Sequence, residues 1–194
     1  MQTISEDVVE HTWQRMAQMP EEDVPKLVEA MQAEQPELLV FLLAAGEDLF
    51  TQAEQELQLY LGMVVWQIMR QGNPRPQRIT EDRLERFIDR TDKMAEYLMG
   101  ESEGDFVASS VKIFKNHNQI NVLRYVVEAL FEDEEFEDES EDDDMTEDFL
   151  AGKEDEEEEE DWEEEDEPDE ADVREEIKGL IFLNLKSEIE ALDQ

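Results

Sequence analysis

The sequence predicts an all-α protein, an irregular bundle of about seven helices around one central buried helix. After the bundle it predicts a disordered acidic segment and then a C-terminal amphipathic helix. Two observations support this fold class. Apolar residues recur at helical spacing over residues 4–131, and acidic residues are concentrated in the last third of the chain, which has 194 residues and a net charge of −41.

The first helices are delimited by capping residues and prolines. Residues Thr3 to Glu6 have the S/T-x-x-E spacing of a capping box, which predicts the start of the first helix. Pro20 ends that helix and, followed by three acids, begins a second one. Pro36 opens a short third helix. Gly46 is placed to close it in the left-handed conformation that ends many helices.

The central helix is predicted from about Glu47 to Gln71. Between Leu57 and Met69 it has no charged residue, and its apolar side chains point in every direction around the axis. A helix that is apolar all round has to be buried all round. Gly62 costs this helix about 1 kcal/mol relative to alanine, so we expect a neighbouring helix to cross closely at that glycine.

The later helices follow a clear break at residues 72–76, which contain a glycine and two prolines. Thr80 can begin a helix of about 18 residues. Two more helices are predicted at about 106–115 and 120–131. A last amphipathic helix is expected near the end of the chain, where its apolar face docks on the bundle or on a second copy of the chain. A homodimer through the C-terminal helix is therefore an open alternative.

Charge divides the chain into three parts. Residues 1–131 contain 23 acids and 12 bases and form the predicted bundle domain, whereas residues 132–194 contain 34 acids and 4 bases. Residues 132–172 hold 29 acids and a single base. We therefore predict that residues 132–170, here called the acidic arm, are disordered, and that residues 171–194 form the C-terminal amphipathic helix. Direct binding to nucleic acid or to an anionic membrane is not expected, because both need concentrated positive charge.

Catalytic, metal and cofactor sites are not expected. The chain has no cysteine, and its two histidines, His11 and His117, belong to no Glu-x-x-His or His-x-x-x-His pair. Residues 100–104 match the G-x-S-x-G pattern of serine hydrolases, and Asp105 and His117 follow in the order of a catalytic triad. That pattern requires a strand before the serine, whereas a helix is predicted there. We therefore interpret it as a chance match.

The helix after Thr80 carries a row of bases on one face, here called the arginine row: Arg83, Arg86, Arg90 and Lys93. Such a row is usually a solvated helix face, since exposed ion pairs contribute only about 0.5 kcal/mol each. The functional interpretation is an anion-binding site. The anion at the highest effective concentration is the acidic arm of the same chain, so these four residues are the candidate site for docking an anion or the tail.

The acidic arm also contains spaced apolar residues, namely Phe136, Met145, Phe149, Leu150 and Trp162. Acidic chains with interspersed aromatic residues present apolar anchors that charge repulsion keeps apart, which suits the capture of basic proteins. These five residues are the candidate partner-binding residues. The alternative is a solubilising segment in which the aromatic residues have no role.

The leading functional prediction is a non-enzymatic interaction protein, an adaptor or chaperone-like module whose acidic arm engages basic protein partners or its own bundle. The alternative is a bundle that binds a small ligand or catalyses a reaction. That bundle has its pocket beside Tyr60, Met63 and Trp66 and holds an anionic ligand with the arginine row. The sequence shows neither a secretory signal nor a membrane-spanning run, which predicts a soluble cytoplasmic protein.

Overall fold

The computed structural model of the chain describes residues 1–46, 49–98, 117–131 and 173–193, and it confirms the all-α class. These residues contain seven α-helices, a 3-10 turn at Glu21–Asp23 and no strand. The helices are α1 (Glu6–Ala17), α2 (Val24–Glu34), α3 (Pro36–Ala44), α4 (Gln52–Met69), α5 (Glu81–Leu98), α6 (Ile120–Phe131) and α7 (Glu175–Leu192).

The capping box predicted at the start of the chain does not form, and that prediction is wrong. α1 begins after Ser5, whose side chain makes no capping hydrogen bond to the described first turn. The Thr3 hydroxyl instead donates to Asn118 Oδ1 at 3.1 Å, so a contact with a distant segment replaces the local one.

A capping box forms at α4 instead. The Glu54 N–H donates to Thr51 Oγ1 at 3.3 Å, and the Thr51 N–H donates to Glu54 Oε2 at 2.7 Å. Because this box fixes the first turn, α4 begins at Gln52 rather than near the predicted Glu47.

The turn signals at glycine and proline are confirmed. Gly46 follows α3 with a φ of 83°, in the left-handed region that favours glycine. The N–H groups of Leu49 and Phe50 both donate to its carbonyl oxygen at 2.8 Å. Residues 72–76 lie between α4 and α5, outside any helix. Both breaks therefore fall where the sequence predicts them.

α4 is the central helix, as predicted. Every residue from Leu61 to Met69 is buried, and the helix packs against α1, α3 and α7. Its first turns are less enclosed, since Leu57 is half-buried and Tyr60 is 37% exposed. A Cβ atom added at Gly62 would lie 2.5 Å from Leu42 Cδ1 of α3. The expected close crossing at this glycine is therefore present.

α7 is the second core helix. Ile181, Leu185 and Ile189 are fully buried, and α7 packs against α4, α5 and α6 of its own chain. In the sequence, the acidic arm separates residues 171–194 from the predicted 1–131 bundle. In the structure, the apolar side chains of α7 belong to the same core as those of the bundle. Its apolar face is thus covered within the chain.

Several predictions fall on residues outside the described ranges. They concern the helix at 106–115, the disorder of the acidic arm at 132–170 and the G-x-S-x-G match at 100–104.

Candidate functional site

The acidic arm leaves the described bundle at Phe131 and rejoins it at Val173. Arg174 holds the point where it rejoins. Its Nε donates to Glu54 Oε1 at 2.9 Å, its Nη2 donates to Glu54 Oε2 at 2.8 Å, and its backbone N–H donates to Oε1 at 3.1 Å. Nη2 also donates to the carbonyl of Leu49 at 2.6 Å. This bidentate arrangement, with two parallel N–H···O bonds, is the strong form of arginine–carboxylate pairing.

Glu54 is fully buried at the start of α4. The hydrogen bond from the Arg174 side chain lowers the pKa of Glu54 from 4.5 to about 2, with help from the Thr51 N–H and against the opposing effect of burial. A carboxylate with so low a pKa is charged at neutral pH. It therefore depends on Arg174 for its partner, because an unpaired buried charge is strongly destabilising.

Phe131, the residue that precedes the acidic arm, also contacts α7. Lys178 Nζ lies 5.8 Å from the centroid of the Phe131 ring, within the usual range of a cation–π contact. The described residues on either side of the acidic arm, Phe131 and Arg174, therefore both belong to one packed body.

The sequence does not reveal this anchoring, although it contains two signals of it. Residues 51–54 have the capping-box spacing, and Arg174 is the first base after the acidic run. Neither signal identifies the partner, because Glu54 and Arg174 are 120 residues apart in the chain.

Two members of the arginine row face α7. Arg90 Nη1 lies 3.6 Å from Glu190 Oε2, and Arg83 Nη2 donates to the Glu190 carbonyl oxygen at 3.4 Å. Both groups therefore contact an acceptor of the C-terminal helix. The row does not present four free cations to an external anion.

The other two members are placed differently. Arg86 is exposed, and its Nε donates to the backbone carbonyl of Asp82 at 2.9 Å. The side chain of Lys93 lies outside the described part of the chain. Of the three described members of the arginine row, Arg83 and Arg90 therefore contact α7 and Arg86 faces solvent.

The arginines before the row also contact carboxylates of the bundle. Arg70 Nη2 lies 2.7 Å from Glu34 Oε1, and Arg75 Nη2 lies 3.4 Å from the same oxygen. Arg78 Nη2 lies 3.3 Å from Glu37 Oε1. These bases neutralise acids of α2 and α3, so they form part of the internal charge pairing of the bundle.

A polar cluster joins the two ends of the described chain. Asp193 Oδ1 accepts from the Met1 ammonium at 2.9 Å and from Gln119 Nε2 at 3.0 Å, and Asn118 Nδ2 donates to Oδ2 at 2.9 Å. Burial raises the pKa of Asp193, but these hydrogen bonds outweigh it, and the net pKa is lowered. Three chain segments are thereby fixed at one end of the bundle around a charged carboxylate.

His117 is the described member of the triad-like match, and its contacts are structural. Its Nδ1 accepts from the Gln119 N–H at 3.1 Å, and its Nε2 lies 3.9 Å from Glu190 Oε1. Burial lowers the pKa of His117, against the opposing effect of Glu190. Residues 100–104 and Asp105 lie outside the described residues.

A groove of about 470 Å³ runs between α3 and α5 beside α7. Its lining is mostly apolar and includes two highly exposed residues, Val40 (61%) and Leu49 (63%). Its rim is acidic, with Glu37 on α3 and Glu81 and Glu85 on α5. Nothing in the sequence predicts this groove, because its walls are distant in the chain.

The three residues predicted to line a pocket beside the central helix are placed mainly in the core. Met63 and Trp66 are buried, at 6% and 1% exposure, and Tyr60 is half-exposed. They line neither the α3–α5 groove nor a second hollow of about 500 Å³ near the end of α1. Their packing therefore accounts for Met63 and Trp66 without a ligand.

Glu188 is the most unusual charged residue of α7. It is fully buried, and neither of its carboxylate oxygens has a hydrogen-bond partner among the described residues. Its Oε2 would lie 3.1 Å from a Cβ atom at Gly62. Burial raises the pKa of Glu188 well above 4.5, so this side chain opposes folding whenever it is charged.

The five candidate partner-binding residues, Phe136, Met145, Phe149, Leu150 and Trp162, lie outside the described residues. Within the described residues, no three His, Cys, Asp or Glu side chains are grouped to hold a metal ion. The described helices include none that is long and apolar enough to span a membrane. No family model, curated protein or solved structure matches the chain.

Proposed function

We propose that this chain is a non-enzymatic interaction protein, an adaptor or chaperone-like module whose acidic arm engages basic protein partners. The observation that carries the proposal is the anchoring of the arm at Glu54 and Arg174. A segment tethered at both ends has fewer conformations to lose than a free tail when a partner binds. In this proposal the bundle is a rigid support that holds the two residues flanking the acidic arm.

The charges of the described bundle favour an external partner over docking of the acidic arm on the arginine row. Arg83 and Arg90 contact Glu190, and three further arginines pair with Glu34 or Glu37. Few bases of the described bundle are left to bind the arm within its own chain. Its negative charge therefore remains to attract a basic partner and to speed its association.

In this proposal, binding has an electrostatic step and an apolar step. The field of the acidic arm acts over about 8 Å at physiological salt and brings a basic surface close. Phe149 and Trp162 then bury their rings against the partner, which adds the apolar contact area that charge alone does not supply. Specific capture thus differs from a solubilising role in its dependence on these two side chains.

A bundle without its arm is the necessary comparison, and the chain cannot be cut at residue 131, because α7 belongs to the core. Replacing residues 132–170 with about ten Gly and Ser residues gives a linker with a mean span of roughly 17 Å. The contact between Phe131 and Lys178 indicates that α6 and α7 are close enough for such a linker. This chain is called the arm-replaced variant below.

Titration with purified histones at physiological salt tests the proposal. We expect the full chain to bind, the arm-replaced variant to lose binding, and Phe149→Ala/Trp162→Ala to weaken it by about tenfold. Equal binding by the double alanine variant would leave only nonspecific charge. Undiminished binding by the arm-replaced variant would overturn the proposal.

The proposal also includes a cytoplasmic setting. Cell fractionation with an antibody against the bundle tests it, and recovery in the cytosolic fraction is the expected result.

A further inference from the structure

The groove between α3 and α5 is open along its apolar lining. Val40 and Leu49 remain 61% and 63% exposed although they line it. Small-molecule sites usually bury about 70–90% of their ligand and contain several converging polar groups. Here Asn184 is the only uncharged polar side chain of the described lining. Such a surface suits one face of an amphipathic helix better than an enclosed small molecule.

The charge of the rim specifies the charge of the occupant. Glu81 and Glu85 are exposed one turn apart on α5, and neither pairs with a base among the residues that the structure describes. Glu37, on the opposite wall, is paired with Arg78, whose Nη2 lies 3.3 Å from Glu37 Oε1. The unpaired carboxylates of Glu81 and Glu85 on the α5 wall attract basic side chains and repel acidic ones.

The acidic arm rejoins the bundle at the edge of this groove. Nη2 of Arg174 donates to the carbonyl of Leu49 at 2.6 Å, and Leu49 lines the groove. A partner drawn in by the arm therefore arrives next to the groove. The arm's own apolar cluster at Met145 and Phe149 is flanked by acids, which disfavours its binding beside Glu81 and Glu85.

We propose that the groove binds a basic amphipathic helix of the partner that the acidic arm attracts, an inference that rests on the proposed function. Apolar side chains at positions i, i+3, i+4 and i+7 of that helix contact Val40 and Leu49. Its lysine or arginine side chains pair with Glu81 and Glu85. The arm increases the association rate, and the groove selects for helical, amphipathic partners.

Two labelled peptides of identical leucine and lysine composition serve as probes. One of about 14 residues has its leucines on a single helical face, and the other is scrambled so that it has no apolar face. Fluorescence anisotropy measures the affinity of each peptide for the full chain and for its variants.

Each groove variant has a control on α3 or α5 that lies outside the groove. Val40→Gln/Leu49→Gln changes the lining. Its control is Leu43→Gln, because Leu43 is 56% exposed on α3 outside the groove. Glu81→Gln/Glu85→Gln changes the rim, and its control is Asp82→Asn/Asp89→Asn, which removes two exposed acids of α5 that do not line the groove.

We expect the lining variant to weaken the amphipathic peptide about tenfold and the rim variant about threefold, whereas both controls bind like the unchanged chain. Binding of the scrambled peptide should not depend on the lining. Equal losses in the lining variant and the Leu43→Gln control would contradict the inference.

The arm-replaced variant separates this inference from the proposed function. If both hold, it binds both peptides more weakly but still prefers the amphipathic one. Unchanged affinity for both peptides would refute the proposed function and leave the groove intact. Tighter binding of the amphipathic peptide would show that the arm itself occupies the groove, which would overturn the inference. Dimerisation in sedimentation that is lost in the lining variant would assign the groove to a second copy and overturn it equally.

Discussion

Arg174 and Glu54 form a bidentate ion pair, with donor–acceptor distances of 2.9 and 2.8 Å, which joins the start of α7, just after the acidic arm, to the first turn of α4. The carboxylate is fully buried, whereas the arginine side chain is 37% exposed. The same carboxylate closes the capping box with Thr51. The Glu54 side chain thus both caps the start of the central helix and binds the arginine that follows the acidic arm.

Replacing this arginine should destabilise the bundle. Arg174→Gln leaves the Glu54 carboxylate buried without its cation, and we expect a loss of about 3 kcal/mol in the free energy of unfolding at pH 7. Urea denaturation followed by far-UV circular dichroism measures it. The control Arg86→Gln changes an exposed arginine of α5 and should alter stability by less than about 0.5 kcal/mol. Similar effects of the two substitutions would show that the pair has no special role.

The pH dependence of that stability follows from the lowered pKa of Glu54. Because this pKa falls from 4.5 to about 2 on folding, Glu54 contributes stability above pH 4.5 that is lost as the pH falls through this window. Arg174→Gln should flatten this part of the pH profile of urea denaturation. An unchanged acid slope in the variant would contradict the assignment.

Glu188 should act in the opposite direction. Its folded pKa is raised, so stability is greatest below the unfolded value of 4.5 and falls as the pH rises towards the folded pKa. Glu188→Met fills similar space without a charge, and we expect it to stabilise the bundle by about 1–3 kcal/mol near pH 8. Urea denaturation near pH 5 and pH 8 should show a gain that increases with pH.

An exposed acid provides the control for Glu188. Glu29→Met on α2 should change stability by less than about 0.5 kcal/mol. A Glu188→Met chain that is less stable than the unchanged chain near pH 8 would mean that the carboxylate has a stabilising partner.

The close crossing at Gly62 predicts a coupled pair of substitutions. Gly62→Ala favours the helix by about 1 kcal/mol, but its Cβ would lie 2.5 Å from Leu42 Cδ1, and overpacking costs about 1–3 kcal/mol. We expect net destabilisation, relieved in part by Leu42→Val. A double-mutant cycle on thermal unfolding measures the coupling, and strictly additive effects would argue against the crossing.

Removing the C-terminal helix should abolish the fold, whereas replacing the acidic arm should not. Fully burying each of Ile181, Leu185 and Ile189 contributes about 1.5–3 kcal/mol, comparable in sum with the whole stability of a domain, about 5–15 kcal/mol. A chain ending at residue 131 should therefore lose cooperative thermal unfolding, and the arm-replaced variant should keep it. Cooperative unfolding of the shortened chain would show that α7 is dispensable.

The sequence predicts the described helices well because their signals are local. The central helix is recognisable from the uncharged run between Leu57 and Met69, and Gly46 and the break at residues 72–76 are where the pattern indicates. The capping box is harder to place, because the same spacing occurs at Thr3 and at Thr51. The choice between them is made by a distant contact, that of Thr3 with Asn118.

The candidate site is harder still to predict, because its contacts join residues far apart in the chain. Periodicity places Arg83 and Arg90 on one helix face, but only the packing of α7 shows that they face Glu190. The broad apolar face of α7 indicates docking without identifying the surface that receives it. The groove likewise depends on how α3 and α5 pack together. The sequence of either helix by itself does not predict that packing.

A paired pull-down at physiological salt tests the central claim most directly. The full chain and the arm-replaced variant are the two baits, lysate of cells that express the protein is the source, and mass spectrometry identifies what each bait retains. We expect basic proteins to be retained by the full chain only. This result would identify the acidic arm as the binding element and the bundle as its structural support. Retention of the same partners by the arm-replaced variant would contradict the claim and assign the function to the helical bundle.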